Sequence, residues 1–471
     1  MSQVSAATKL LYGIGFSARG LKDGLFQLFL FFYFNNVLGL DAALAGTASL
    51  ISLIFDAVSD PAVGLWSDKW KSKKWGRRHP FMMFSAVPLG LFTWLLFLPP
   101  EGMGQTGLFW WLLVFSVLVR LSITFFLIPH MSLGAEMSTD YEERTSITSI
   151  RIMFAAFVSP VTIILGLTTF FAKTEEYSNG LLNAAAYPKF AFLCGVLMII
   201  FILITVFGTR NTIPRLPQAS AYQERTTLTM VFKNLGQAFQ MPSFRNLVIY
   251  IMIVYVAIGI GVTFTTYFTT YFFELTETEL AFLPISSAVG GILAVFIARI
   301  LGKKLDKKPT AIISTIIFAV FFSLPFNARL LDIFPANDSP MLVPVYVLSL
   351  TVAYTFLWVA LSTGSSMMAD VVDEFDLRTG QRQEGLFFST MSFALKMTTG
   401  LGSFIAGLLL TLIAFPKQAE VGTVSEDAIY GLGLVGGPIL MICYLVSLGF
   451  LVFYPITKGR YEQIRAQLGE R

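Results

Sequence analysis

The residues in this chain able to do chemistry are few, and they interrupt long apolar runs. Asp56-Ala57-Val58-Ser59-Asp60-Pro61 places two carboxylates at i and i+4, so on a helix they share a face one turn apart, with Ser59 on nearly the same face. Two carboxylates and a hydroxyl are hard oxygen ligands, suited to Na⁺, Li⁺ or a proton. Ca²⁺ and Mg²⁺ also take oxygen ligands, but their sites usually gather more carboxylates. The structural alternative is that Asp60 pins a helix end and Asp56 bonds a neighbouring helix. Lys396, in Ser392-Phe393-Ala394-Leu395-Lys396-Met397-Thr398, needs a counter-charge that Asp56 or Asp60 can supply; otherwise it snorkels to an interface. Arg19, Lys22 and Asp23 interrupt the first apolar run. Asp23 and Gln27, again i and i+4, offer hydrogen bonds to a polar substrate, although pairing of Arg19 with Asp23 uses the same carboxylate. Arg151 is a candidate for substrate or for the membrane interface, and it favours an anionic group as Arg19 and Lys22 do. Trp358, Tyr267 and Tyr271 can stack on a sugar ring, though aromatics at these spacings more often pack. Of the two histidines, His130 reads as buried and satisfied, and His79 as solvated in a basic loop.

The elements that must position these groups follow from composition. Hydrophobic residues make up 55% of the 471 and charged residues 13%, against about 25% charge in a soluble domain. The remaining solvent is lipid, where about 20 apolar residues make a spanning helix and backbone groups must be bonded within the helix. Inside the bilayer a charge costs at least about 2.5–3.5 kcal/mol on insertion scales, so those retained there have a role or a partner. Twelve helices are expected, at about 9–39, 42–66, 80–99, 107–133, 146–172, 187–208, 243–273, 279–302, 309–327, 341–368, 385–414 and 428–456. The all-α membrane fold then divides into an N-terminal six-helix bundle (1–208), a cytoplasmic linker (209–242), a C-terminal six-helix bundle (243–456) and a cytoplasmic tail (457–471).

Charge in the short loops sets orientation. Lys69, Lys71, Lys73, Lys74, Arg77 and Arg78 follow the second span, and Lys303, Lys304, Lys307 and Lys308 the eighth. Loops on the other side carry acids such as Asp41, Glu101, Glu274, Glu277 and Glu279. Both termini are therefore expected in the cytoplasm of a bacterial-type inner (plasma) membrane. The halves also echo each other. Gly64-Leu65-Trp66-Ser67-Asp68-Lys69 corresponds to Gly302-Lys303-Lys304-Leu305-Asp306-Lys307, and Ala135-Glu136 with Arg144-Thr145 to Ala369-Asp370 with Arg378-Thr379. Repeated halves with a site at their interface are the plan of secondary transporters. Asp68 with Arg77 and Arg78, Glu136 with Arg144, and Asp370 with Arg378 are expected to form cytoplasmic salt bridges that hold one face shut. The alternative is plain solvation, in which exposed pairs contribute about 0–1 kcal/mol.

These segments resemble the helix 2–3 motif of the major facilitator superfamily. The match narrows to the glycoside–pentoside–hexuronide:cation symporters, the group containing the melibiose permease, through Tyr12-Gly13-Ile14-Gly15, Asp56 to Pro61, Gly76-Arg77-Arg78-His79-Pro80-Phe81, Ile128-Pro129, Ala369-Asp370-Val371-Val372-Asp373 and Lys396. The resemblance implies the major facilitator fold, two pseudo-symmetric bundles of six helices. It also implies a coupling cation, Na⁺ or H⁺, held by Asp56, Asp60 and Thr124, with Ser59 where the family has Asn, and Lys396 near that site. Galactoside carriers of this group use aspartates where a gapless match puts Gly20 and Leu127, so melibiose is not the expected substrate, and Asp23, one turn on, can substitute.

The expected function is cation-coupled symport of a sugar, glycoside or uronide by a monomer, with no cofactor and no nucleic-acid partner. The alternatives are a carrier of a non-sugar amphiphile such as a lysolipid, an uncoupled facilitator, a lipid-modifying membrane enzyme, and a non-transporting scaffold. Enzyme motifs such as the GxSxG elbow, Walker A and HExxH are absent from the sequence.

Overall fold

The computed structural model describes residues 4–70, 72, 74–138, 140–177, 179–215, 236–380 and 384–469. Lys71 and Lys73 of the basic loop, and most of the expected linker, lie outside them. Among the described residues, eleven helices are long and apolar enough to cross a membrane, and no strand occurs. They are Ala42–Lys69, His79–Leu96, Gln105–Glu136, Tyr141–Leu165, Ala186–Gly208, Pro242–Tyr267, Leu283–Lys304, Lys307–Leu330, Leu342–Thr379, Glu384–Leu412, and the twelfth span made of Glu426–Leu434 and Leu440–Leu451. The first span completes the set of twelve. It is helical in pieces, Ala6–Gly15 and Ser17–Gly24 followed by π-helical turns at Leu25–Leu30 and Tyr33–Val37.

Polar caps start several spans where the apolar runs begin. Asp41 accepts from the Ala43 N–H (3.0 Å) and Asp306 from the Lys307 N–H (2.7 Å), each satisfying an amide that the helix itself leaves orphaned. The tenth span runs to Thr379 and ends at Gly380, whose φ of +71° suits a residue without Cβ. That is well beyond the expected end near 368, because Asp370, Asp373 and Glu374 find partners within the fold and do not have to reach solvent. The expected tail is itself a helix, Lys458–Gly469.

The chain forms two compact units. One holds Met1–Gln223 with Leu275–Ala281 and Ser403–Val424; the other holds Glu224–Glu274, Phe282–Gly402 and Ser425–Arg471. Within the first, the second span packs on the fourth, the third on the fourth and sixth, and the first on the fifth and sixth. Within the second, the eighth packs on the tenth, the ninth on the tenth and twelfth, and the seventh on the twelfth. Adding six to each number carries four of these pairings from one unit onto the other, so the repeat seen in the loops is a repeat of packing.

Candidate functional site

The second, fourth and first spans build the site, all within the first unit. Asp56 and Asp60 fall on one face of Ala42–Lys69, as their spacing requires. From the fourth span Thr124, only 2% exposed, sets its hydroxyl between them, 3.1 Å from Asp56 Oδ1 and 2.8 Å from Asp60 Oδ1. The two acids and the threonine are thus brought together. Ser59 turns its hydroxyl proton to the Asp56 backbone carbonyl (3.1 Å), which satisfies it locally and leaves its oxygen lone pairs as the only part that can meet a cation.

One member of the site was not anticipated from the sequence. Arg120 lies one turn before Thr124 on the fourth span. Its Nη1 is 3.8 Å from Asp56 Oδ2, and its Nε donates to Ser52 Oγ at 3.1 Å. The available signal was a lone arginine in the middle of an apolar helix, the same criterion that singles out Lys396.

The first span brings up further charge. Lys22 Nζ is 2.7 Å from Asp23 Oδ1, and Arg19 Nε donates to Asp23 Oδ2 at 3.3 Å. Asp23 therefore carries two cations of its own helix, and the local pairing weighed against a substrate role is formed. Lys22 and Arg120 both approach the Phe26 ring, each 5.4 Å from its centroid, within cation–π range. Gln27 is exposed and falls in the π-helical turn, where residue spacing departs from the i, i+4 register assumed for it and Asp23.

Nearer the end of the spans that carries the basic second-to-third loop, the first, fourth and fifth spans meet at a buried polar knot. Tyr12 stacks on His130 with centroids 4.2 Å apart and donates its hydroxyl to the His130 carbonyl (3.0 Å), while His130 Nε2 lies 2.9 Å from the Tyr12 carbonyl. His130 is buried as expected, but its Nδ1 has no hydrogen-bond partner among the described residues. Gly134 is required here, because a Cβ would run into the Tyr12 hydroxyl. Arg151 lies 5.0 Å over the Phe16 ring with its Nε buried and unpartnered among the described residues. His79 is fully buried and not solvated, its Nε2 3.0 Å from Thr209 Oγ1, because it opens the third span beside the end of the sixth.

The ion pairs expected at the basic loops form with exchanged partners. Arg78 reaches Asp68, Glu136 (2.8 Å) and Ser67 (2.8 Å), and Arg77 reaches Glu136 at 2.9 Å. Arg144 instead donates to the Ser138 carbonyl (2.6 Å), since the fourth span extends to Glu136 and delivers that acid to the second-to-third loop. In the second unit Lys307 takes Asp370 (2.7 Å), while Arg378 pairs with Glu374 one turn back on its own helix (2.7 Å). The expected pairs Glu136/Arg144 and Asp370/Arg378 are therefore replaced. Trp358 and Lys396 also belong to the second unit. Trp358 is exposed and sits beside Gly291 of the eighth span.

The profile of a family described as MFS/sugar transport protein matches residues 11–458. The chain belongs to this family. Among its relatives is the uncharacterized symporter YjmB of Bacillus subtilis (strain 168), 27% identical across 100% of this chain and 96% of that one. Another is the isoprimeverose transporter of Lactiplantibacillus pentosus, 23% identical across 97% and 90%. The fold is that of a crystallised point mutant of the nucleoside transporter NupG, with a TM-score of 0.64 at 17% identity over 95% of this chain and 99% of that one. The family member described here is thus a multi-pass membrane transporter of the major facilitator fold, and not an enzyme.

Proposed function

We propose that the chain is a secondary active symporter that couples entry of a sugar, glycoside or uronide to a cation, Na⁺ or H⁺, across a bacterial-type inner membrane, with both termini in the cytoplasm. The observation that carries this reading is the pair Asp56 and Asp60 joined by one Thr124 hydroxyl inside a membrane bundle. A carboxylate pair there is costly unless a cation is shared with it. Cation entry reduces the repulsion between the acids and favours the substrate-loaded state. Alternating access then carries both inward, and a cation moving down the membrane potential contributes about 2.3 kcal/mol per charge per 100 mV.

The polar groups of the first span, Arg19, Lys22 and Asp23, together with Arg151, are the binding candidates in this unit. Trp358 is the aromatic candidate of the other, and Lys396 the coupling residue. Asp68, Arg77, Arg78, Glu136 and Asp370, with Arg144 and Arg378 beside them, are the groups whose pairing would change when the cytoplasmic side opens. The sugar class is supported by the family description and by the named isoprimeverose transporter.

The test is uptake of a panel of labelled glycosides and uronides into oriented membrane vesicles, with a Na⁺ or a pH gradient imposed separately. Accumulation of one class above its outside concentration under one gradient supports the proposal. Equilibration only, under both gradients, makes the chain a facilitator.

A further inference from the structure

The carboxylate pair has a resident cation, and it belongs to the protein. Arg120 holds a guanidinium 3.8 Å from Asp56 Oδ2 on the side away from Thr124, which binds Asp56 Oδ1. An arginine keeps its charge at every accessible pH. This one is nearly buried, fixed to Ser52 Oγ at 3.1 Å and laid against Phe26, so it does not swing as a free chain. Around the pair, the first span contributes a second positive charge, Lys22, on the same Phe26 ring, while Asp23 is shared by Lys22 and Arg19. The second span contributes the two acids, and the fourth contributes Arg120 and Thr124.

We propose that Arg120 determines which cation the pair accepts, by occupying the place beside Asp56 and excluding Na⁺ and Li⁺ from it. This rests on the reading of Asp56 and Asp60 as the coupling site and goes one step further. An alkali ion taken up by Asp56 would sit about 5 Å from a fixed positive charge. At an effective dielectric near 20, that weakens its binding on the order of 100-fold. Among the described residues no cluster of three or more acidic, histidine or cysteine side chains compensates by gathering round a metal ion. Oxygen atoms are present for an alkali ion, and the charge balance beside Asp56 is set against it.

The test is Na⁺ and Li⁺ calorimetry on the purified full chain, wild type against Asp60→Asn, Arg120→Gln, Arg120→Leu, Arg120→Lys and the double variant Arg120→Gln/Asp60→Asn, with thermal melting to confirm folding. The proposal expects no saturable heat from wild type or Arg120→Lys. It expects saturable Na⁺ binding, about 100-fold tighter, in Arg120→Gln or Arg120→Leu, and loss of that binding in the double variant. Saturable binding by wild type that Asp60→Asn abolishes overturns the proposal and leaves the coupling site standing. Wild-type binding that Asp60→Asn does not touch removes both. Folded Arg120→Gln and Arg120→Leu that stay silent also overturn it.

Discussion

At the scale of single residues, one hydroxyl organises the site. Thr124 reaches both helix-two acids, so Thr124→Ala leaves the buried Asp56 and the half-buried Asp60 without the group that spans them. A charged hydrogen bond of this kind contributes about 1.5–3 kcal/mol. Thr124→Ala is expected to weaken the response to the coupling cation about 10–100-fold, read as the cation concentration for half-maximal uptake, whereas Thr124→Ser is expected to retain it. The two acids were legible in the sequence from spacing alone, and Thr124 through the family resemblance. Arg120 was equally visible as a charge in an apolar run but stands alone in its segment, and only packing shows that it faces Asp56. Gly134 is a second residue whose role is purely spatial. Gly134→Ala forces the new methyl into the Tyr12 hydroxyl, and overpacking of this kind costs about 1–3 kcal/mol. The checking measurement is a lowered melting temperature in detergent, and unchanged melting would contradict the packing of Tyr12 on His130.

At the scale of elements, helix positions were readable and helix ends were not. Apolar runs located all twelve spans. The fourth and tenth continue past their apolar runs, because Glu136 and Asp370 are neutralised by Arg77, Arg78 and Lys307, and hydropathy does not register partners distant in sequence. The first span was read as a plain helix, whereas its Asp23 and Gln27 straddle the start of a π turn, which no side-chain pattern announces. The start of the fifth helix shows the local logic, just before its membrane-spanning part, Ser146–Phe170. Asp140 caps it, and Glu143 takes the Val4 N–H (2.8 Å) and Lys9 (3.0 Å), tying the N-terminus to it. A hydrogen bond from Ser138 first, then Lys9 and Val4, hold the Glu143 carboxyl below the usual glutamate range. A lowered carboxylate value stabilises the folded state above the unfolded value of about 4.3 and loses that contribution as pH falls through the folded one. Glu143→Gln is therefore expected to melt below wild type at neutral pH, with the gap closing under acid conditions. A gap that widens on acidification would contradict the tie.

At the scale of the whole chain, the two units repeat their packing, and the ion pairs at their basic loops occupy corresponding places. Arg78 meets Glu136 in one unit and Lys307 meets Asp370 in the other. Burial is distributed differently in them: the Arg78 side chain is 5% exposed and that of its Glu136 14%, whereas Lys307 is 38% exposed and its Asp370 only 6%. Removing one partner costs about 3–5 kcal/mol where it leaves the other charge buried and uncompensated. Lys307→Ala, which takes the cation from buried Asp370, is accordingly expected to destabilise the chain more than Arg78→Ala, after which Glu136 keeps Arg77, and equal losses in denaturant-monitored unfolding would mean that the repeat governs the pairs more than burial does. The repeat itself was legible in the loops. The partners within it were not, because Arg144 and Arg378 lie closer in sequence to the acids than the residues that bind them.

The most direct test of the account is gradient-driven uptake of the accumulated sugar or glycoside by Asp56→Asn and Asp60→Asn, beside wild type, in the same oriented vesicles. The account predicts folded, membrane-inserted protein in which accumulation above the outside concentration is lost in both variants. Normal accumulation by both would contradict it, leaving the carboxylate pair a structural feature and the driving cation to act elsewhere.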